Sequence, residues 1–148
     1  MNIGDKFPNL LGTDAQGNEV KLSNYPGKKF IVYFYPKDNT PGCTAEACSL
    51  NDGLPNLEAK GYQVIGVSKD SAASHTKFID KYGLQFPLVA DTETSLCQLA
   101  GVWQMKKMAG REYMGIVRTT FLLAADGTVE HIIGKVNTKD AANQILAL

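Results

Sequence analysis

Apolar residues fall along this chain in two rhythms, and the switches between them predict its elements. Lys29-Phe30-Ile31-Val32-Tyr33-Phe34-Tyr35 is an unbroken β-branched and aromatic run that reads as a buried strand. Pro36 ends it, because proline cannot donate to a sheet ladder. Val20-Lys21-Leu22 predicts a shorter strand before it, with Asn24-Tyr25-Pro26-Gly27 as the turn between them. From Pro41 the rhythm changes. Ala47, Leu50, Leu54 and Leu57 recur at steps of three and four, a helix that Gly53 and Pro55 should interrupt and Gly61 should end. Tyr62 to Val67 returns to strand, and Ser71 to Tyr82 reads as an amphipathic helix stopped by Gly83. Phe86 to Ala90 follows as strand and Thr94 to Ala100 as a short helix. Gly101 to Gly115 keeps neither rhythm and reads as a long surface loop. Arg118 to Leu123 and Val129 to Ile133 flank Asp126-Gly127, a hairpin signal, and Thr138 to Leu148 closes as a helix.

Alternating strands and helices with a late hairpin give an α/β fold: a central mixed β-sheet flanked by helices, parallel at its centre, antiparallel at one edge, preceded by an N-terminal extension. In open sheets of this kind ligands gather beyond the carboxyl ends of the strands, where the Pro36 to Cys43 segment must lie. With 148 residues, 44% of them hydrophobic, the chain suits one domain spanning 1–148. Fifteen basic residues balance fifteen acidic ones, so nothing draws it to nucleic acid or to an anionic membrane. No segment approaches the ~20 apolar residues of a membrane span, and Met1 to Asp5 has no signal-peptide character, so the expected location is cytoplasmic. In that reducing setting three cysteines point to catalytic, redox or metal-binding thiols more than to a disulfide framework.

The chemistry concentrates where the Lys29 to Tyr35 strand gives way to a helix. Thr40 fits the N-cap and Pro41 the first helical position, which leaves the amides of Gly42 and Cys43 without intrahelical acceptors. Those donors and the helix dipole favour an anion at Cys43, and the thiolate is the form that attacks electrophiles. Cys43 is the candidate nucleophile. Cys48 follows five residues later; on a regular helix the two Cα atoms would stand roughly 8–9 Å apart, whereas disulfides span about 4.4–6.8 Å. Any bond between them requires the first turns of the helix to unwind.

Pro36-x-x-x-Thr40-x-x-Cys43 resembles the peroxiredoxin active-site motif, and the step to Cys48 is similar to that of the atypical two-cysteine branch called peroxiredoxin Q or bacterioferritin comigratory protein. Phe30 to Asp52, Phe86 to Asp91, Gly101-Val102-Trp103, Arg118-Thr119-Thr120-Phe121 and Asp126-Gly127 resemble that family's signatures in its order, across essentially the whole chain. The resemblance implies a thioredoxin-like fold and an antioxidant thiol peroxidase that reduces hydrogen peroxide and organic hydroperoxides. Cys43 would be the peroxidatic cysteine and Cys48 the resolving one, forming an intrachain disulfide. Arg118 would favour the thiolate and donate to the peroxide, the Thr40 hydroxyl would bridge sulfur and substrate, and Pro36 would shield the sulfur from water. A thioredoxin or glutaredoxin-like dithiol donor would restore the enzyme. No metal, haem or flavin is implied, and an intrachain disulfide makes a monomer the simpler assembly.

The same residues have plainer readings. Cys97, in Ser95 to Ala100, reads as an inert packed thiol. Arg118 taken alone would be a strand-end arginine with its charge in water. Trp103, Met105, Met108, Tyr113 and Met114 are expected to cover apolar surface beneath the long loop, and His75 and His131 to be surface or sheet residues. A zinc module built from Cys43, Cys48, Cys97 and a histidine is one rival function. A thioredoxin-like disulfide reductase is another, but it should carry Cys-x-x-Cys, which this chain lacks. An interaction domain with inert thiols is the third.

Overall fold

The computed structural model describes residues Met1–Leu148. In chain order its elements are strands β1 (Leu10–Thr13), β2 (Glu19–Lys21) and β3 (Lys29–Phe34), and helices α1 (Pro41–Asp52) and α2 (Leu54–Ala59). They continue with β4 (Tyr62–Ser68), α3 (Ala72–Tyr82), β5 (Leu88–Ala90) and α4 (Ser95–Ala100). Strands β6 (Trp103–Met108), β7 (Arg111–Ile116), β8 (Thr119–Leu123) and β9 (Val129–Ile133), then α5 (Ala141–Leu146), complete the chain.

Five strands form the central sheet in the order β5-β4-β3-β8-β9. β3, β4 and β5 run parallel, β8 pairs antiparallel with β3, and β9 pairs antiparallel with β8. The mixed α/β architecture expected from the sequence is the one observed. β3 is central, and Phe30 to Phe34 are completely buried, which is why its sequence is continuous apolar rather than alternating. The pleat sends Phe30, Val32 and Phe34 to one face, where they pack with α4 and the β1–β2 hairpin. Ile31, Tyr33 and Tyr35 go to the other, beneath α1, α2, α3 and α5.

Local signals worked where they had a physical cause. Gly53 separates α1 from α2, and a Cβ there would collide with Ala142 of α5, so the break is also a close helix contact. Ser71 caps α3, its hydroxyl accepting from the Ser74 amide at 3.2 Å, and Gly83 ends the helix at φ 62°. Three expectations are corrected. The Gly101 to Gly115 loop is largely a hairpin: β6 and β7 pair from Trp103↔Ile116 to Met108↔Arg111 around Ala109 and Gly110, both at positive φ. Met105, Met108 and Met114 project from that hairpin into solvent instead of lying over a core. His75 is not a surface residue; it is fully buried on α3. The N-terminal extension also holds a strand, β1, that the sequence pattern did not reveal.

Candidate active site

Strand pairing brings the site together. Thr119 of β8 lies opposite Phe34, so Arg118, one residue earlier, stands just beyond the carboxyl end of β3, where the chain turns toward α1. Cys43 lies in the first turn of α1 and is only 1% exposed. Arg118 Nη2 donates to Cys43 Sγ at 3.2 Å, although the two residues are 75 positions apart in sequence. The first backbone bond of the helix runs from the Thr44 amide to the Thr40 carbonyl at 2.8 Å, which leaves the Gly42 and Cys43 amides without an acceptor in that ladder.

Glu46, which the sequence reading did not single out, completes the arrangement. It is three residues after Cys43, on the same side of α1, and its carboxylate is fully buried. Glu46 Oε1 accepts from Arg118 Nη1 at 2.6 Å, so the two ends of one guanidinium fork hold a carboxylate and a sulfur. Glu46 Oε2 has no partner, and neither does the buried hydroxyl of Tyr33. Burial pushes the Glu46 carboxyl up to about 7, against the opposing pull of Arg118. Burial works against the Arg118 charge, but its bonds to Cys43 and Glu46 outweigh it and hold the guanidinium cationic. The i,i+3 spacing of Cys43 and Glu46 was the sequence signal that could have found this residue.

The other expected site residues are placed less uniformly. Pro36 is half-buried at the start of the loop. Thr40 occupies the N-cap position, but its side chain makes no capping bond. Its hydroxyl donates to the Lys37 carbonyl at 2.9 Å, so its lone pairs, not its hydrogen, are available to the site. Cys48 lines a groove of about 520 Å³ between α1 and α5, together with Asp52, Lys139 and Asp140 among others. Partial burial and the nearby Asp52 raise its thiol above the usual cysteine range. All three cysteines are unpaired. Cys97 is fully buried; burial and then the Asp91 carboxylate push its thiol far up, which fits an inert packing role. The zinc alternative needs three or more ligands in one place, and no such group of His, Cys, Asp or Glu side chains forms.

Comparison with known proteins follows the same lines. The family model described as AhpC/TSA matches residues 3–132. Peroxiredoxin Bcp of Bacillus subtilis is 44% identical over 146 residues, covering 99% of this chain and 93% of that protein. Peroxiredoxin Bcp of Escherichia coli K12 is 37% identical over 146 residues, 99% of this chain and 94% of that protein. Among solved structures, a cysteine mutant of Xylella fastidiosa PrxQ superposes with a TM-score of 0.89 at 36% identity, covering 99% of this chain and 94% of that one. Bacterioferritin comigratory protein of Xanthomonas campestris, studied for alkyl peroxide reduction, gives 0.84 at 39% identity, covering 91% and 86%. These neighbours carry the thioredoxin-like peroxiredoxin fold, and the architecture above is that fold.

Proposed function

The chain belongs to the AhpC/TSA family and is a peroxiredoxin, a thiol peroxidase, and from that premise we propose that Cys43 attacks hydrogen peroxide and organic hydroperoxides while Cys48 resolves the product within the same chain. The observation that carries the reading is the 3.2 Å donation from Arg118 to a buried Cys43 sulfur at a helix N-terminus. A charged donor fixed there favours thiolate over thiol before substrate arrives and faces the oxygens on which charge develops during attack.

The step balances without a cofactor. The thiolate takes the nearer peroxide oxygen, the O–O bond breaks, and the peroxide's own proton passes to the leaving oxygen, giving a sulfenate and water or an alcohol. Thr40, whose hydrogen is engaged by the Lys37 carbonyl, accepts from the peroxide hydroxyl and so orients it. Pro36 narrows the approach to the sulfur. The protonated sulfenate then condenses with the Cys48 thiol, releasing water and forming the disulfide. A dithiol donor of the thioredoxin or glutaredoxin type reduces it, which suits a cytoplasmic enzyme acting in antioxidant defence. One domain spanning 1–148 supplies both thiols that the attack and the disulfide need, so a monomer suffices.

Reduced protein mixed with one equivalent of hydrogen peroxide should lose two daltons within seconds, mapping by peptide mass to Cys43–Cys48. Sluggish oxidation without that linkage refutes the assignment.

A further inference from the structure

The loop that delivers Cys43 to Arg118 is gripped from behind by α3 through a buried ionisable pair outside the peroxide site. Asp38, five residues before Cys43, is 7% exposed, and His75 is completely buried. His75 Nδ1 lies 2.7 Å from Asp38 Oδ2, and His75 Nε2 lies 3.0 Å from the Val89 carbonyl of β5. A carboxylate and a carbonyl are both acceptors only. A ring with an acceptor beside each nitrogen is held at both ends, so His75 ties the loop to β5. Asp38 is otherwise well satisfied: the Tyr35 hydroxyl donates to Oδ1 at 2.6 Å, the Ser74 hydroxyl donates to Oδ2 at 2.8 Å, and the Asp38 amide donates to Asp70 Oδ2 at 2.9 Å. Burial works against its carboxylate, but the bonds from His75 and Tyr35 outweigh that and hold it below the usual range. Asp70 is the other acid facing this cluster, and Lys77 and Lys81 stand at the mouth of the adjoining groove. One residue on, Asn39 is held at φ 59°, with Oδ1 accepting from the Lys81 ammonium at 3.3 Å and the Tyr82 hydroxyl at 3.2 Å.

We infer that His75, bridging β5 to Asp38 through its two ring nitrogens, is a positioning residue that fixes the Pro36–Gly42 loop and thereby the aim of Cys43 at Arg118. It touches neither substrate nor sulfur. Its Nδ1 bond to Asp38 sets the loop, and its Nε2 contact with the Val89 carbonyl sets the ring. Losing the first leaves a buried carboxylate short of a hydrogen-bond partner, and the loop shifts to rehydrate it. An ångström of drift at Cys43 is enough to slow attack about a hundredfold. Disulfide formation, which needs this region to unwind, gains nothing from the clamp.

The inference rests on Cys43 being the attacking thiol, and the test separates the two claims. Stopped-flow rates of sulfenate formation and of disulfide formation are measured for wild type, His75→Asn and His75→Gln, with melting temperatures for each. Asparagine places an amide donor near the Nδ1 position and keeps the bond to Asp38; glutamine places it near Nε2 and keeps only the bond to Val89. Peroxide attack should fall tenfold or more in His75→Gln, stay within about threefold of wild type in His75→Asn, and leave disulfide formation unchanged or faster in both. Equal losses in both variants, or in neither, overturn the inference. ¹⁵N spectra of wild-type His75 need no variant, and exposed His131 is the only other histidine to assign. Hydrogen on Nδ1, the nitrogen facing Asp38, is expected, and a bare Nδ1 overturns the inference. The wild-type attack rate alone tests Cys43, whereas the variant ratios and the ring spectrum test His75.

Discussion

Replacing Glu46 by glutamine isolates the energetics of the shared guanidinium. Glu46 is fully buried, one carboxylate oxygen is bonded to Arg118 at 2.6 Å, and the other has no partner. Its carboxyl titrates near 4.5 when unfolded and is pushed up to about 7 by burial, despite Arg118. The folded state therefore holds this proton more tightly than the unfolded state does. Stability from that proton is fully present below about pH 4.5 and is lost as pH rises through about 7. A gap of about 2.5 on the pH scale, at about 1.4 kcal/mol for each, amounts to about 3 kcal/mol. Glutamine keeps the oxygen that accepts from Arg118 and cannot ionise, so it adds a constant offset but no slope. Urea unfolding of reduced protein at pH 5 and pH 8.5 should show wild type losing about 3 kcal/mol more than Glu46→Gln across that interval. Parallel losses would refute the reasoning, because Arg118 would then be holding Glu46 ionised across the whole range.

Arg118→Ala should lower the second-order rate of Cys43 oxidation about a hundredfold or more, and Arg118→Lys should not restore it, since one ammonium cannot hold both Glu46 and the sulfur; stopped-flow oxidation rates decide this. Cys97→Ala should leave the peroxide cycle intact while lowering stability by about 1 kcal/mol, read from turnover and urea midpoints on the same samples. Hydrogen exchange on the oxidised protein should show lost protection over residues 43–48 and retained protection over 49–53; a uniformly protected α1 would rule out a Cys43–Cys48 bond.

What the sequence made legible follows from how local each cause is. β3 was readable because both faces are covered, so every position had to be apolar. The β6–β7 hairpin was not, because its outer strand positions are mostly exposed and no covered face imposes a period of two. Cys43 was readable from its helix-start context. Arg118 was readable only by resemblance, since its tie to Cys43 depends on the β3–β8 register and spans 75 positions. His75 was misread for the same reason, its partner Asp38 lying 37 residues upstream on another element. Thr40 shows a subtler limit: the N-cap position was right, but a hydroxyl can choose among nearby carbonyls, and here it chose Lys37.

Side-chain hydrogen bonds fasten the C-terminal end of α1 and the loop before it to different neighbours. Its C-terminal end is fastened on two sides: the Ser49 hydroxyl accepts from the Ala142 amide at 3.2 Å, and Asn51 bonds Gly83 and Gln85 at 3.1 and 2.9 Å. Upstream, Asp38 and Asn39 are tied to α3. Between these anchors, the side-chain hydrogen bonds of residues 41–48 come from Arg118, to Cys43 and to Glu46. The strength of that hold depends on the sulfur being an anion, because a charge-assisted bond is roughly twice as strong as a neutral one. On the proposed cycle, protonation of the sulfenate at Cys43 would remove that anion and weaken the tie to Arg118, at the segment that would have to unwind for Cys48 to reach Cys43.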